Sequence, residues 1–390
     1  MIKKSIIVLF VVILIVLVGV NLYVEKDTIQ IKILNEFDED EDIINLDNSK
    51  PIIIDENDYI GYIREYFPPY NFINYIYRAN ISKNTIELLK EIPEEYRTVT
   101  SLHYSKKDKK VYMIGHVINE EEKNSYLVRF NEDMEVEVST KVEYFISNFI
   151  EIGNKIYAEC NSEYIIIGKH LINENNNITM HEIDKNTVKL KEDESTYIFF
   201  DVYELKNGNR IIIKVNGEYF NKQIKNKEKT FNVIVEMTDN KGVVLSSNEV
   251  KNVYPYDIKF TELPNENVVF NLSKGSGLNP TDQIYIYEKE NDKYRLQHKN
   301  KVKIPYGYAY RGTLKYNDNL GILISEVKKS SEGKTAILMF DENIEKLIKK
   351  YEIENLIGSF ATFKIEIDEK TNKMYFFNNR HAIGEIIFPE

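Results

Sequence analysis

The side chains able to do chemistry are numerous in this sequence but scattered. The six histidines, His103, His116, His170, His181, His298 and His381, show no H-x-x-x-H or H-E-x-x-H spacing, so no pair falls on one helical face to share a metal. Hairpin register counted from the turn at Lys107–Lys109 sets His103 opposite Tyr112 and His116 opposite Val99, which keeps these two apart. The single cysteine, Cys160, excludes an internal disulfide framework and a cysteine-built zinc site. No metal and no cofactor is expected. There is no G-x-S-x-G elbow and no phosphate-cradling P-loop sequence. Carboxylates are abundant, but nothing in their spacing pairs two as acid and base. Ser273-Lys274-Gly275-Ser276-Gly277 could offer backbone N–H groups to an anion, yet it reads better as a flexible hairpin loop. No catalytic residue is assigned.

Aromatic residues give the remaining signal. The chain holds 28 Tyr and 19 Phe but no Trp. Three groups stand out: Tyr66-Phe67-Pro68-Pro69-Tyr70, Tyr254-Pro255-Tyr256, and Tyr306-Gly307-Tyr308-Ala309-Tyr310-Arg311. Tyrosine joins an apolar face to a hydroxyl, so Tyr66, Phe67, Tyr70, Tyr254, Tyr256, Tyr306, Tyr308, Tyr310 and Arg311 are the candidate ligand- or partner-binding residues. Packing between structural repeats is the competing reading, because Tyr96, Tyr144 and Tyr197 stand at comparable connections.

What must position these residues is a repeat. From about residue 50 the pattern is strand, polar turn, strand, longer loop, strand, polar turn, strand. The first turn recurs at 56–58, 107–109, 153–154, 207–209, 265–267, 317–319 and 370–372, and the second at 83–85, 131–133, 185–187, 239–241, 290–292 and 341–343. From position 57 to position 371 is 314 residues over six intervals, about 52 per unit. Asn343–Ile357 and part of Asn84–Tyr96 have helical spacing locally, but the repeat register assigns them to fourth strands. The long loops, 66–71, 160–176, 216–229, 272–282 and 327–334, fall between second and third strands and so share one face.

Four short strands per unit resembles the β-propeller repeat proteins over roughly residues 28–390, in architecture and not in any named family. The Gly-His and Trp-Asp marks of WD40 repeats, the paired glycines of kelch repeats and the Asp-box of sialidase-type propellers are all missing. The expected fold is all-β, a propeller of seven four-stranded blades preceded by one membrane helix. The seventh unit lacks a fourth strand, and the alternating segment 28–34 is expected to supply it, with the acidic 36–49 as the connection onward.

Residues 5–24 carry no charge, and 20 residues in a helix span about 30 Å, the thickness of a bilayer core. Lys3 and Lys4 precede the segment, so residues 1–4 are expected in the cytoplasm and the propeller outside the cell membrane. The apolar run is too long, and its end too poor a cleavage site, for a signal peptide. A net charge of −11 argues against nucleic acid. The expectation is a membrane-anchored, extracytoplasmic, non-catalytic module binding an envelope protein or glycan. A propeller hydrolase or lyase with a site in the central channel, and a structural subunit of an envelope complex, are the alternatives.

Overall fold

The structure, a computed structural model, describes residues 30–35 and, between 52 and 387, the strands and several of their turns, with 123–161 and 178–256 continuous. The expected membrane helix over 5–24 and the acidic run lie outside the described residues. Among the described residues no helix is long and apolar enough to cross a membrane.

Strand β1 (Gln30–Asn35) leads. Four strands per sheet then follow in chain order: β2 (Ile52–Ile53), β3 (Asp58–Phe67), β4 (Asn71–Asn80) and β5 (Thr85–Ile92) in the first. The second holds β6 (Thr98–Ser105), β7 (Lys110–Ile118), β8 (Lys123–Phe130) and β9 (Val136–Val142). The third holds β10 (Phe145–Ile152), β11 (Lys155–Asn161), β14 (Ile178–Asp184) and β15 (Lys189–Glu194), interrupted by a hairpin of β12 (Ile165–Ile167) and β13 (His170–Ile172). The fourth comprises β16 (Tyr197–Glu204), β17 (Arg210–Asn216), β18 (Phe231–Thr238) and β19 (Val244–Val253), with helix α1 (Gly217–Lys225) after β17. The fifth comprises β20 (Phe260–Glu262), β21 (Val268–Lys274), β22 (Thr281–Glu290) and β23 (Lys293–His298). The sixth has β24 (Tyr308–Tyr316), β25 (Asn319–Glu326), β26 (Thr335–Phe340) and β27 (Leu347–Ile353). Last come β28 (Lys364–Asp368), β29 (Lys373–Phe377) and β30 (Ile383–Ile387), whose sheet is completed by β1 beside β30.

All pairings are antiparallel, and first strands adjoin first strands: β6 lies against β2 and β10, β10 against β16, and β24 against β20 and β28. Burial falls from inside to outside. In the second strand β21 six of seven residues are buried, whereas the fourth strand β9 buries only Val142. Inner strands covered on both faces and outer strands half in water are the burial profile of a propeller. The segments with local helical spacing are strands β5 and β27, because pairing along β4 and β26 supplies ladder hydrogen bonds where a short isolated amphipathic helix would be marginal.

Turn chemistry explains the regular beat. The third-to-fourth-strand turns begin at Asn131, Asp184, Asp239 and Asp341, whose side-chain oxygens accept backbone N–H groups from two to five residues on. Each such turn then needs one left-handed residue, filled by Met134, Val188, Gly242 and Ile344. Val188 and Ile344 accept that backbone strain while burying their side chains completely between sheets.

Buried polar latches join successive sheets. Ser125 accepts the Ile146 N–H of the next inner strand at 3.4 Å and pairs with His116 Nδ1 at 2.8 Å, while His116 stacks on Phe145. Three sheets on, Asp282 accepts the Tyr310 N–H at 2.7 Å and the Asn271 amide at 3.3 Å, and Ser273 also donates to it. The two latches sit at the same register, Ser125 opposite His116 and Asp282 opposite Ser273. His103 faces Tyr112 as counted from the turn, but His116 faces Thr98 and not Val99, because a bulge after Val99 shifts the ladder by one.

Two outcomes follow for stability. Asp282→Ala removes the acceptor shared by buried donors of three residues, at about 1–3 kcal/mol for each one left uncompensated, so urea unfolding should shift well below wild type. Burial drives His116 down to about 4, whereas an unfolded histidine titrates near ~6.5. Its contribution is therefore complete above that value and is lost as pH falls from it towards the folded value, by up to about 1.4 kcal/mol per unit. Urea midpoints of His116→Gln should show a shallower acid slope than wild type; equal slopes would refute the buried neutral imidazole.

Candidate functional site

The site grows from an irregularity that recurs in the inner strands. Pairing runs Val99 with Gly115 and then Ser101 with Ile114; Ile146 with Cys160 and then Asn148 with Glu159. It runs Phe199 with Lys214 and then Asp201 with Ile213; Tyr310 with Ile324 and then Gly312 with Leu323. Each time one inner-strand residue is left over: Thr100, Ser147, Phe200 or Arg311. A bulge re-aims the chain locally and frees one side chain from the ladder.

The second-strand residue just past the bulge is Ile114, Ile213 or Leu323 in three sheets, all buried in the core. In the third sheet that place holds Glu159. Burial pushes its carboxyl above the usual carboxylate range, and a hydrogen bond from Ser147, the bulged residue itself, partly opposes the shift. Its side chain is nevertheless only partly buried, so it reaches solvent from a core position. A carboxylate where the repeat otherwise places leucine or isoleucine is costly to fold around. Such departures mark functional positions.

Aromatic side chains adjoin it. The bulged Phe200 meets Tyr256 edge-on at 5.4 Å, and Tyr256 lies 4.6 Å from Tyr254. Tyr256 leaves 40% of its surface exposed. Burial holds the phenol protonated to higher pH than usual, and the nearby charges of Glu159 and Tyr254 add to that shift. The Tyr254 N–H bonds the Ser273 carbonyl at 2.8 Å, pinning this connection to the fifth sheet. Helix α1 supports the platform from behind. Asn216 caps it by accepting the Tyr219 N–H at 3.0 Å, Phe220 packs on Phe200 and Phe231, and Asn221 makes paired bonds with Ile178 of β14. Beside Glu159, burial raises the Cys160 thiol, which makes it an unreactive core residue.

The structure distributes the sequence candidates unevenly. Tyr254 and Tyr256 pack on each other, and Tyr256 lies against Phe200 within electrostatic reach of Glu159. Tyr66 and Phe67 close strand β3 opposite Phe72 and Asn71 instead of lying in a loop, and Arg311 is the bulge residue of β24. Tyr308 opens β24 and packs partly against the sixth-sheet core. Tyr310 is 1% exposed, its hydroxyl bonded to Thr313 at 2.8 Å and its N–H held by the Asp282 latch, so it packs in the core and not on the loop surface. Tyr70 and Tyr306 lie outside the described residues. Sequence reading missed Glu159, Ser147 and Phe200; aligning second strands by register would have exposed Glu159 beside Ile114, Ile213 and Leu323. Among the described residues no three His, Cys, Asp or Glu side chains gather to hold a metal ion.

No protein-family model and no curated sequence matches the chain. Among solved structures it is similar to an alpha-L-arabinanase of Penicillium chrysogenum complexed with arabinobiose, at 12% identity and TM-score 0.42 over 93% of this chain and 98% of that one. It is also similar to BamB from Moraxella catarrhalis, at 6% and 0.42 over 92% and 100%. A third is the WD40 domain of SCAP from fission yeast, at 7% and 0.40 over 93% and 98%. The propeller architecture itself rests on the strand pairing above.

Replacing Glu159 by the residue type its register favours tests its role. Glu159→Leu should raise thermal stability at neutral pH, by about 1 kcal/mol, because a carboxyl that burial penalises gives way to a packed side chain. The raised folded carboxyl sets the sign: the wild-type deficit is absent below the unfolded value near ~4.3 and grows as pH rises through the folded one. Melting curves at acid and neutral pH measure this. A variant less stable than wild type at both would make Glu159 a structural group.

Proposed function

We propose that the chain is a single-pass, membrane-anchored propeller of seven blades, with residues 1–4 cytoplasmic and the propeller extracytoplasmic, that binds a glycan on its long-loop face without converting it. One observation carries the binding reading: Tyr256, exposed and packed with Tyr254 and Phe200, lies within electrostatic reach of a carboxyl placed at a core position. A tyrosine face takes the apolar side of a sugar ring, and a carboxylate accepts the hydroxyls at its edge. Closure of the seventh sheet by β1 supports the seven-blade reading, because it joins the two ends of the chain in one sheet. The uncharged segment 5–24 supports the anchor.

A hydrolytic reading has one observation in its favour, the upward shift of Glu159, which suits a proton donor. The two separate experimentally. Labelled full-length chain in detergent, applied to an oligosaccharide array, should retain a defined glycan. Tyr256→Ala should weaken that retention about tenfold with little change in melting, whereas Tyr310→Ala should cost about 3 kcal/mol of stability. An array that retains nothing rejects the glycan reading. Cleavage of the retained glycan by wild type, abolished in Glu159→Gln, would replace it with the hydrolytic one.

A further inference from the structure

We propose that the short-turn face of the propeller rests on the bilayer, with the aliphatic starts of its outer strands set into the lipid interface; this rests on reading residues 5–24 as a membrane anchor. The direction of β1 is the first argument. It pairs antiparallel with β30, Gln30 opposite Ile387 and Asn35 opposite Ile383, so it begins at the short-turn end and runs towards the long-loop end. Only five residues lie between position 24 and Gln30, a reach of at most about 20 Å. The face at which β1 begins is therefore the face nearest the anchor.

Exposed apolar side chains are the second argument. Val136 opens β9, Val243, Val244 and Leu245 open β19, and Leu347 and Ile348 open β27. Their exposures run from 41% to 58%, and among the described residues they are all of the strongly exposed large aliphatics. Every one lies at the beginning of a fourth strand, which is the short-turn end. The other exposed large hydrophobic residue, Tyr256, lies on the opposite face, at the proposed glycan site. Six exposed aliphatics gathered at the same end of three outer strands suit a surface that meets more than water. Lys346 directly precedes the β27 group and Lys241 stands two residues before Val243, where an ammonium can meet lipid phosphate while its stem lies along the acyl boundary. The occupant is thus a lipid surface, and the long-loop face points away from it.

The chain has no tryptophan, so one introduced Trp is a clean reporter. Full-length protein is reconstituted into nanodiscs whose lipids carry brominated acyl chains, which quench indole on contact. Leu245→Trp and Ile348→Trp should lose about half of their emission or more and shift to the blue. Tyr256→Trp should be unaffected, and Leu17→Trp strongly quenched. Quenching at Leu17→Trp with none at Leu245→Trp and Ile348→Trp overturns the rim contact while the anchor stands. Quenching at Tyr256→Trp in place of the rim reverses the assigned face. Failure of the wild-type chain to enter nanodiscs overturns both readings.

Discussion

A four-stranded sheet rich in isoleucine and valine has two apolar faces, and no single partner layer covers both. Everything in this fold follows from that constraint. Second strands such as β21, buried on both faces, can exist only between two neighbouring sheets, so each sheet depends on the next. The latches at Ser125 and Asp282 answer the problem that such packing creates. Inner strands begin among buried surfaces, where a backbone N–H has no water, and a side chain from the preceding sheet must receive it. The same dependence explains why β1 is found beside β30: without it the seventh sheet would show an open edge where its fourth strand belongs.

Against that background the third sheet is the exception. Its Glu159 occupies a place that three other sheets fill with leucine or isoleucine, and its bulged residue is a serine whose hydroxyl reaches that carboxylate. The neighbouring sheet contributes Phe200 from the same register, and the next connection contributes Tyr254 and Tyr256. A core of this kind tolerates a charge poorly. Its presence beside an exposed aromatic pair is the sort of local loss of stability that binding sites tend to carry.

Much of the architecture was legible in the sequence because the turns are written in side chains. Asn131, Asp184, Asp239 and Asp341 accept their own turn's N–H groups, so the polar beat in the sequence marks real strand ends. The repeat also assigned 343–357 and 84–96 to strands where local spacing pointed to helix. Bulges left no such trace. They moved His116 from Val99 to Thr98 and hid the equivalence of Glu159 with Ile114. Helix α1 was equally hidden, since GEYFNKQIK is short and depends on the Asn216 cap and on Phe220 packing beneath it. Tyr310 was read as a surface residue because a strand's first residues look the same in sequence as the connection before it.

The recurring bulge has an evolutionary consequence. A residue outside the ladder can change type without shifting the pairing of the strand that carries it. Thr100, Ser147, Phe200 and Arg311 already differ in size, charge and polarity while the sheets around them keep the same register. Four of the repeats thereby have one variable slot near the start of the innermost strand. A protein built this way can change what it recognises one slot at a time, leaving the hydrogen-bonded frame untouched.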